Sequence, residues 1–183
     1  IPSSVQIISE GAFTHVRSLT SGGEPIKNTF SGKHPSVNHS KTLRYEDEMR
    51  IVFEDDSRLE SIGENAFAYF DRATVIDMSE CDSLHSIGAG AFVGSLDSNT
   101  VVIWSHSIET IGERAFDSNT FVTGGSTVLP ASVVTIGNYG ISYVSKVSFE
   151  TGSKLQSIRH TATGSGEHAI EFDLTNCLDL VYE

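Results

Sequence analysis

The sequence predicts an α/β repeat solenoid, a single stack of about eight coils over residues 1–183. Three observations carry that reading. A nine-residue pattern, L-x-x-I-G-x-x-A-F, recurs at a near-constant step. A short segment alternating apolar and polar residues lies upstream of each copy. The connectors between the two come in two lengths that leave the step almost unchanged. A catalytic motif is usually written once, so a motif written again in every coil points to packing.

The nine-residue pattern comes first. Copies begin at Val5 (VQIISEGAF), Leu59 (LESIGENAF), Leu84 (LHSIGAGAF), Ile108 (IETIGERAF) and Val133 (VVTIGNYGI), with weaker ones at Leu155 (LQSIRHTAT) and Leu180. From Leu59 onward the steps are 25, 24, 25, 22 and 25 residues. Val5 to Leu59 is 54 residues, so the coil between them is degenerate or carries an insertion at about 14–50. Leu59 and Ile62 should fill a narrow interior, one coil above Leu84 and Ile87. Gly63, Gly88, Gly112 and Gly137 fall where the chain must bend, through a positive φ or a close backbone approach. Ala66 and Phe67 then read as a short helical or 3₁₀ turn whose Phe plugs the core. A lone coil cannot bury its apolar edge, and stacking on a similar coil can.

The upstream element reads RIVFEDDS at 50–57, TVIDMSEC at 74–81 and TVVIWSHS at 100–107. It continues as STVLPAS at 126–132, KVSFETGS at 146–153 and IEFDLTNC at 170–177. These are rich in β-branched and aromatic residues and alternate at period two, so they predict strands. Ile51/Phe53, Ile76/Met78, Val147/Phe149 and Phe172/Leu174 should point inward. Val52, Asp77, Ile103, Val128, Ser148 and Asp173 should form one outward row. Half of that row is apolar, and we take it as the candidate binding strip. Trp104 lies beside it but aligns with Ile1 and Leu129, which favours the core.

The connectors separate Phe53 from Leu59 and Met78 from Leu84 by six residues, and Trp104 from Ile108 and Leu129 from Val133 by four. Pro2 and Pro130 occupy the same place in the short version, where proline stops a strand and fixes a turn.

Together IETIGERAF, FEDDSRLESIG, IPSSV and IDMSECDSL resemble the BspA-type leucine-rich repeats. The resemblance covers nearly the whole chain apart from about 14–50 and 159–169. It implies a right-handed curved stack with a sheet on one face and short helical or 3₁₀ turns on the other. It also implies a surface protein of the kind found in host-associated bacteria and some protists, often linked to adhesion. The copy at 137–141 departs from the pattern by carrying Gly140-Ile141 in place of Ala-Phe. The copy at 159–163 loses both Gly and Phe. Segment 17–44 holds 5 of the 12 basic residues and little periodicity, and reads as a protruding loop.

Composition excludes several functions. The net charge is −12, from 24 acidic and 12 basic residues, which argues against nucleic acid. No apolar run reaches the ~20 residues of a membrane span. Cys81 and Cys177 sit four steps apart, roughly 19 Å at the spacing of stacked strands, too far to pair. They read as small buried side chains at a turn. His34 and His39, like His160 and His168, lack metal-ligand spacing and a completing acid or Cys. Glu54, Asp55, Asp56, Asp77, Glu80 and Asp82 could offer oxygens to calcium, but solvated turns explain them. Ser165, Glu167 and His168 are adjacent in one loop and lack the support a triad needs. Asn38-His39-Ser40 is a lone glycosylation sequon. The chain begins at Ile1 without Met and ends just after a strand-like stretch, so it reads as a fragment of a longer chain.

These readings converge on an extracellular or cell-surface interaction module. It would be non-catalytic and adhesin-like, with no cofactor or metal. Its ligand would be a protein or glycan on a host or neighbouring cell. The alternative is a structural spacer, filament or surface-layer subunit that self-associates through solenoid ends. Recognition should lie in the letters that do not repeat. Glu60, Glu64 and Asn65 become His85, Ala89 and Gly90 one coil on, while Ser61 is kept as Ser86.

Overall fold

The computed structural model describes residues 1–14, 49–70, 73–96, 100–117, 125–159, 170–178 and 180. The basic segment 17–44 with its sequon, His34 and His39, and the loop 160–169 with Ser165, Glu167 and His168, lie outside them. The described chain is a parallel-sheet β-solenoid. Two kinds of strand alternate along it.

The six upstream segments form β2 (Met49–Val52), β4 (Ala73–Asp77), β6 (Val101–Ile103), β8 (Ser126–Leu129), β10 (Lys146–Phe149) and β12 (Glu171–Asp173). The nine-residue pattern contributes a second set: β1 (Ile7–Ile8), β3 (Ser61–Ile62), β5 (Ser86–Ile87), β7 (Thr110–Ile111), β9 (Thr135–Ile136) and β11 (Ser157–Ile158). This second set pairs in parallel into one six-stranded sheet, ordered β1-β3-β5-β7-β9-β11. Each of its strands holds two residues, one facing out and an Ile facing in. The register is Ile8↔Ile62↔Ile87↔Ile111↔Ile136↔Ile158.

The glycine that follows each Ile sets the strand's length. A Cβ on Gly63 would lie 2.7 Å from the amide nitrogen of Glu10, and one on Gly88 2.7 Å from that of Glu64. Real Cβ contacts do not come that close, so these glycines are required by close approach of one coil to the next. The positive φ angles fall two residues later, at Asn65 (52°), Gly90 (61°), Arg114 (54°) and Tyr139 (54°).

That displaced φ accounts for a difference from expectation. The segments after the glycines are hydrogen-bonded turns, and no helix occurs among the described residues. The N–H groups of Ala66, Ala68 and Phe70 donate to carbonyls three residues back, at Gly63, Asn65 and Phe67. Those of Asn65, Phe67 and Tyr69 instead donate across to Ala89, Ala91 and Val93 of the next coil, at 2.7–2.8 Å. A helix would direct every N–H to its own chain four residues back. Here alternate donors leave the turn to tie the coils together.

The core runs along the stack. Leu59, Ile62, Leu84, Ile87, Ile108 and Ile111 are buried, as are Ile51, Phe53, Ile76, Met78, Val147 and Phe149. Phe13, Phe67, Phe92 and Phe116 stack ring on ring, with centroids 5.0, 5.1 and 4.9 Å apart. In the next coil Ile141 takes the Phe place, fully buried and bridged to Phe116. The ring of Tyr143 then reaches Phe116 at 6.1 Å. Trp104 is buried, edge-on to Phe116 at 4.9 Å, and its Nε1 donates to Thr127 Oγ1 at 2.9 Å.

The connectors explain their two lengths. The short one is a single turn, with Val133 N donating to Pro130 O and Val5 N to Pro2 O. The long one is two turns in series, Cys81 N to Met78 O and Leu84 N to Cys81 O. The core phase is kept in both.

Candidate functional site

The outward row expected from the sequence is in register. Val52 pairs with Asp77 and Asp77 with Ile103; Val128 pairs with Ser148 and Ser148 with Asp173. The row is divided, because its strands form two three-stranded sheets, β2-β4-β6 and β8-β10-β12. The expected single run therefore breaks between Ile103 and Val128. Ile103 and Val128 are 40% and 54% exposed, and Val101 on the same outer face is 53% exposed. Val52, Asp77, Ser148 and Asp173 are half-buried.

Two members have structural work. Asp77 Oδ1 accepts from Ser79 N at 3.1 Å and Ser79 Oγ at 2.8 Å. Asp173 Oδ1 accepts from Thr175 N at 3.2 Å and Thr175 Oγ1 at 2.6 Å. Both are turns of the Asp-x-Ser/Thr kind that close a strand exit. The bonds from Thr175 hold the Asp173 carboxyl below its ordinary range. Lys146 Nζ lies 2.8 Å from Glu171 and 3.9 Å from Asp173. The outer face of β10 and β12 is thus ionic, while the apolar exposure of these sheets gathers at Val101, Ile103 and Val128 on the edge strands β6 and β8.

The six-stranded sheet offers a second surface, which strand prediction missed. Its outward row is Ile7, Ser61, Ser86, Thr110, Thr135 and Ser157. Ile7 is 62% exposed. The hydroxyl of Thr135 donates to that of Thr110 at 3.4 Å. The row is narrow and hydroxyl-rich, with the glycine backbones beside it.

A groove of about 540 Å³ opens on the turn face. One wall is Glu64, Asn65 and Tyr69, the other Glu113 and Arg114, and the floor is Ala89, Gly90 and Val93. It exists because the coils differ. The middle coil has Ala89-Gly90 where its neighbours have Glu64-Asn65 and Glu113-Arg114. Arg114 is fixed by Asp117 at 2.6 Å and lies 6.0 Å from the ring centre of Tyr139. Tyr69 is 42% exposed. The sequence signal was the varying pair inside an otherwise constant motif. What it did not give was that the pair from three successive coils meets around one hollow.

The two cysteines are free and buried, at equivalent turns. Burial pushes the Cys81 thiol up to about 11. Among the described residues no three His, Cys, Asp or Glu side chains converge as metal ligands would. No described helix is long and apolar enough to cross a membrane.

Comparison with known proteins gives one match. A family profile described as BspA type leucine rich repeat region matches residues 47–165 in six copies. No curated protein and no solved structure matches the chain.

Proposed function

Because this chain belongs to the BspA-type leucine-rich repeat family, we propose that it is a non-catalytic interaction module that works outside the cell or on its surface. In this reading it is adhesin-like and binds a protein or glycan of a host or neighbouring cell. The family is often surface-associated and protein-binding, which supports the reading. The observation that carries it is the exposed apolar group Val101, Ile103 and Val128 on the outer strands. Single apolar residues outside are ordinary, but three exposed on two edge strands, Val101 and Ile103 on β6 and Val128 on β8, support a contact surface. The surrounding charges, Asp77 on one side and Lys146 with Glu171 on the other, would supply the polar rim of such an interface.

Binding of the labelled chain to a fixed epithelial cell layer tests this directly. The double change Ile103→Asp and Val128→Asp should abolish binding while leaving the fold intact. Protease or periodate treatment of the cells separates a protein ligand from a glycan. Binding unaffected by the double change excludes the strip. Absence of cell binding, together with concentration-dependent association in sedimentation, supports the spacer reading instead.

A further inference from the structure

We propose that the turn-face groove at Ala89-Gly90 is a binding site for a short, neutral oligosaccharide. The proposal rests on the interaction-module reading and deepens it, naming a second site and its ligand class.

The volume, about 540 Å³, lies within the ~300–1,000 Å³ range of small-molecule sites. The lining chemistry then narrows the ligand. Glu64 and Glu113 present carboxylate acceptors from opposite walls, Asn65 offers a donor and an acceptor, and Arg114 offers donors. An anion would meet two carboxylates. A metal cation would find no three carboxylate, imidazole or thiol ligands converging here among the described residues. A sugar's hydroxyls donate and accept together, so they suit a wall that carries both kinds of group. The Tyr69 ring gives the apolar C–H face of a pyranose a surface to lie against, and it keeps a polar tip.

Gly90 keeps the floor open. Its φ is +61°, and a Cβ there would collide with Asn65 Oδ1. The equivalent residues Asn65, Arg114 and Tyr139 show that other side chains accept the same backbone conformation in this fold. The glycine is therefore not demanded by the turn, and its presence between two occupied coils is what makes the hollow. The walls come from backbone tied on both sides, with Asn65 N donating to Ala89 O, Gly90 N to Glu113 O and Arg114 N to Asn138 O, all at 2.7–2.8 Å. Such a scaffold holds the polar groups before a ligand arrives, which limits the ordering cost of binding.

Saturation-transfer NMR with the full chain tests the site, using short malto-, cello-, manno- and chito-oligosaccharides as probes. One series should give transfer to wild type. Gly90→Asn, which places in the floor the residue Asn65 of the preceding coil, should weaken it at least about tenfold, as should Tyr69→Ala. Lys154→Ala, at an exposed position outside both the groove and the outer strip, should leave it unchanged. Circular dichroism and thermal unfolding report whether each variant folds, and either folded groove variant is sufficient for the decision. Transfer from no series overturns the proposal. So does transfer that survives in a folded groove variant. Loss confined to Lys154→Ala overturns it as well. Loss of cell binding in the strip variants, with sugar binding retained, leaves both readings standing.

Discussion

The ring of Phe92 lies flat on that of Phe67, with centroids 5.1 Å apart and planes 2° from parallel. The two residues are 25 positions apart and hold the same place in LESIGENAF and LHSIGAGAF. Their contact shows what the repeated letters do. Each ring is the floor of one coil and the ceiling of the next, so a coil is stable only beside a coil that resembles it.

The glycine after each spine Ile is fixed by contact. In Gly88→Ala the new methyl would stand 2.7 Å from both Glu64 N and the carbonyl carbon of Gly63, which are backbone atoms with little room to move. The change should cost about 1–3 kcal/mol in urea unfolding. Gly90→Asn, two residues on, should stay within about 1 kcal/mol of wild type, since Asn tolerates a left-handed backbone and the atom its Cβ would meet, Asn65 Oδ1, is the far end of a side chain that can rotate away. Equal losses at both positions would contradict the distinction between close approach and turn conformation.

Trp104 and Thr127 form a buried polar contact between neighbouring coils. Trp104→Phe keeps most of the apolar contact with Phe116 and removes the indole donor. It leaves the Thr127 hydroxyl short of one partner, although Tyr143 also bonds to it. The expected cost is about 1–3 kcal/mol, read from the unfolding midpoint. A double change adding Thr127→Val should deepen the loss, because the buried Tyr143 hydroxyl then loses its Thr127 partner as well.

Stability should fall in mild alkali. Burial pushes the Cys81 thiol from its ordinary 9.0 up to about 11, with a hydrogen bond to Ser57 opposing the shift. The folded chain then holds a proton that the unfolded chain releases, so stability declines as pH rises from about 9 to about 11. The contribution is complete below pH 9. Burial raises Tyr143 too, which extends the decline to higher pH. Urea midpoints measured across this range should drop for wild type and drop less for Cys81→Ala. Parallel slopes for the two would contradict the burial of this thiol.

Much of the fold was legible because its signal repeats. The six period-two segments gave strands β2, β4, β6, β8, β10 and β12, and the inward sets at 51/53, 76/78 and 147/149 are buried. The six-stranded sheet was not legible. Its strands hold two residues each, and one outward Ser or Thr before an Ile shows no alternation to detect. The turn after each glycine read as helical or 3₁₀ from its short Ala-Phe pair and from the family resemblance, and nothing in one coil reveals that alternate amides serve the next. The candidate strip was found in its residues and missed in its continuity, since the break between Ile103 and Val128 depends on strand pairing. The groove was half-visible. The varying pairs 64–65, 89–90 and 113–114 were identifiable by alignment of the repeats, but a hollow is a property of three coils together.

The central claim is that the repeated letters hold the stack and the varying letters face outward. Phe92 tests it most directly, because it is fully buried with a Phe ring on each side. Equilibrium urea unfolding of Phe92→Ala should show a loss of about 3–5 kcal/mol. A midpoint and slope within about 0.5 kcal/mol of wild type would mean that the repeated Phe is not a core element, and would contradict the account.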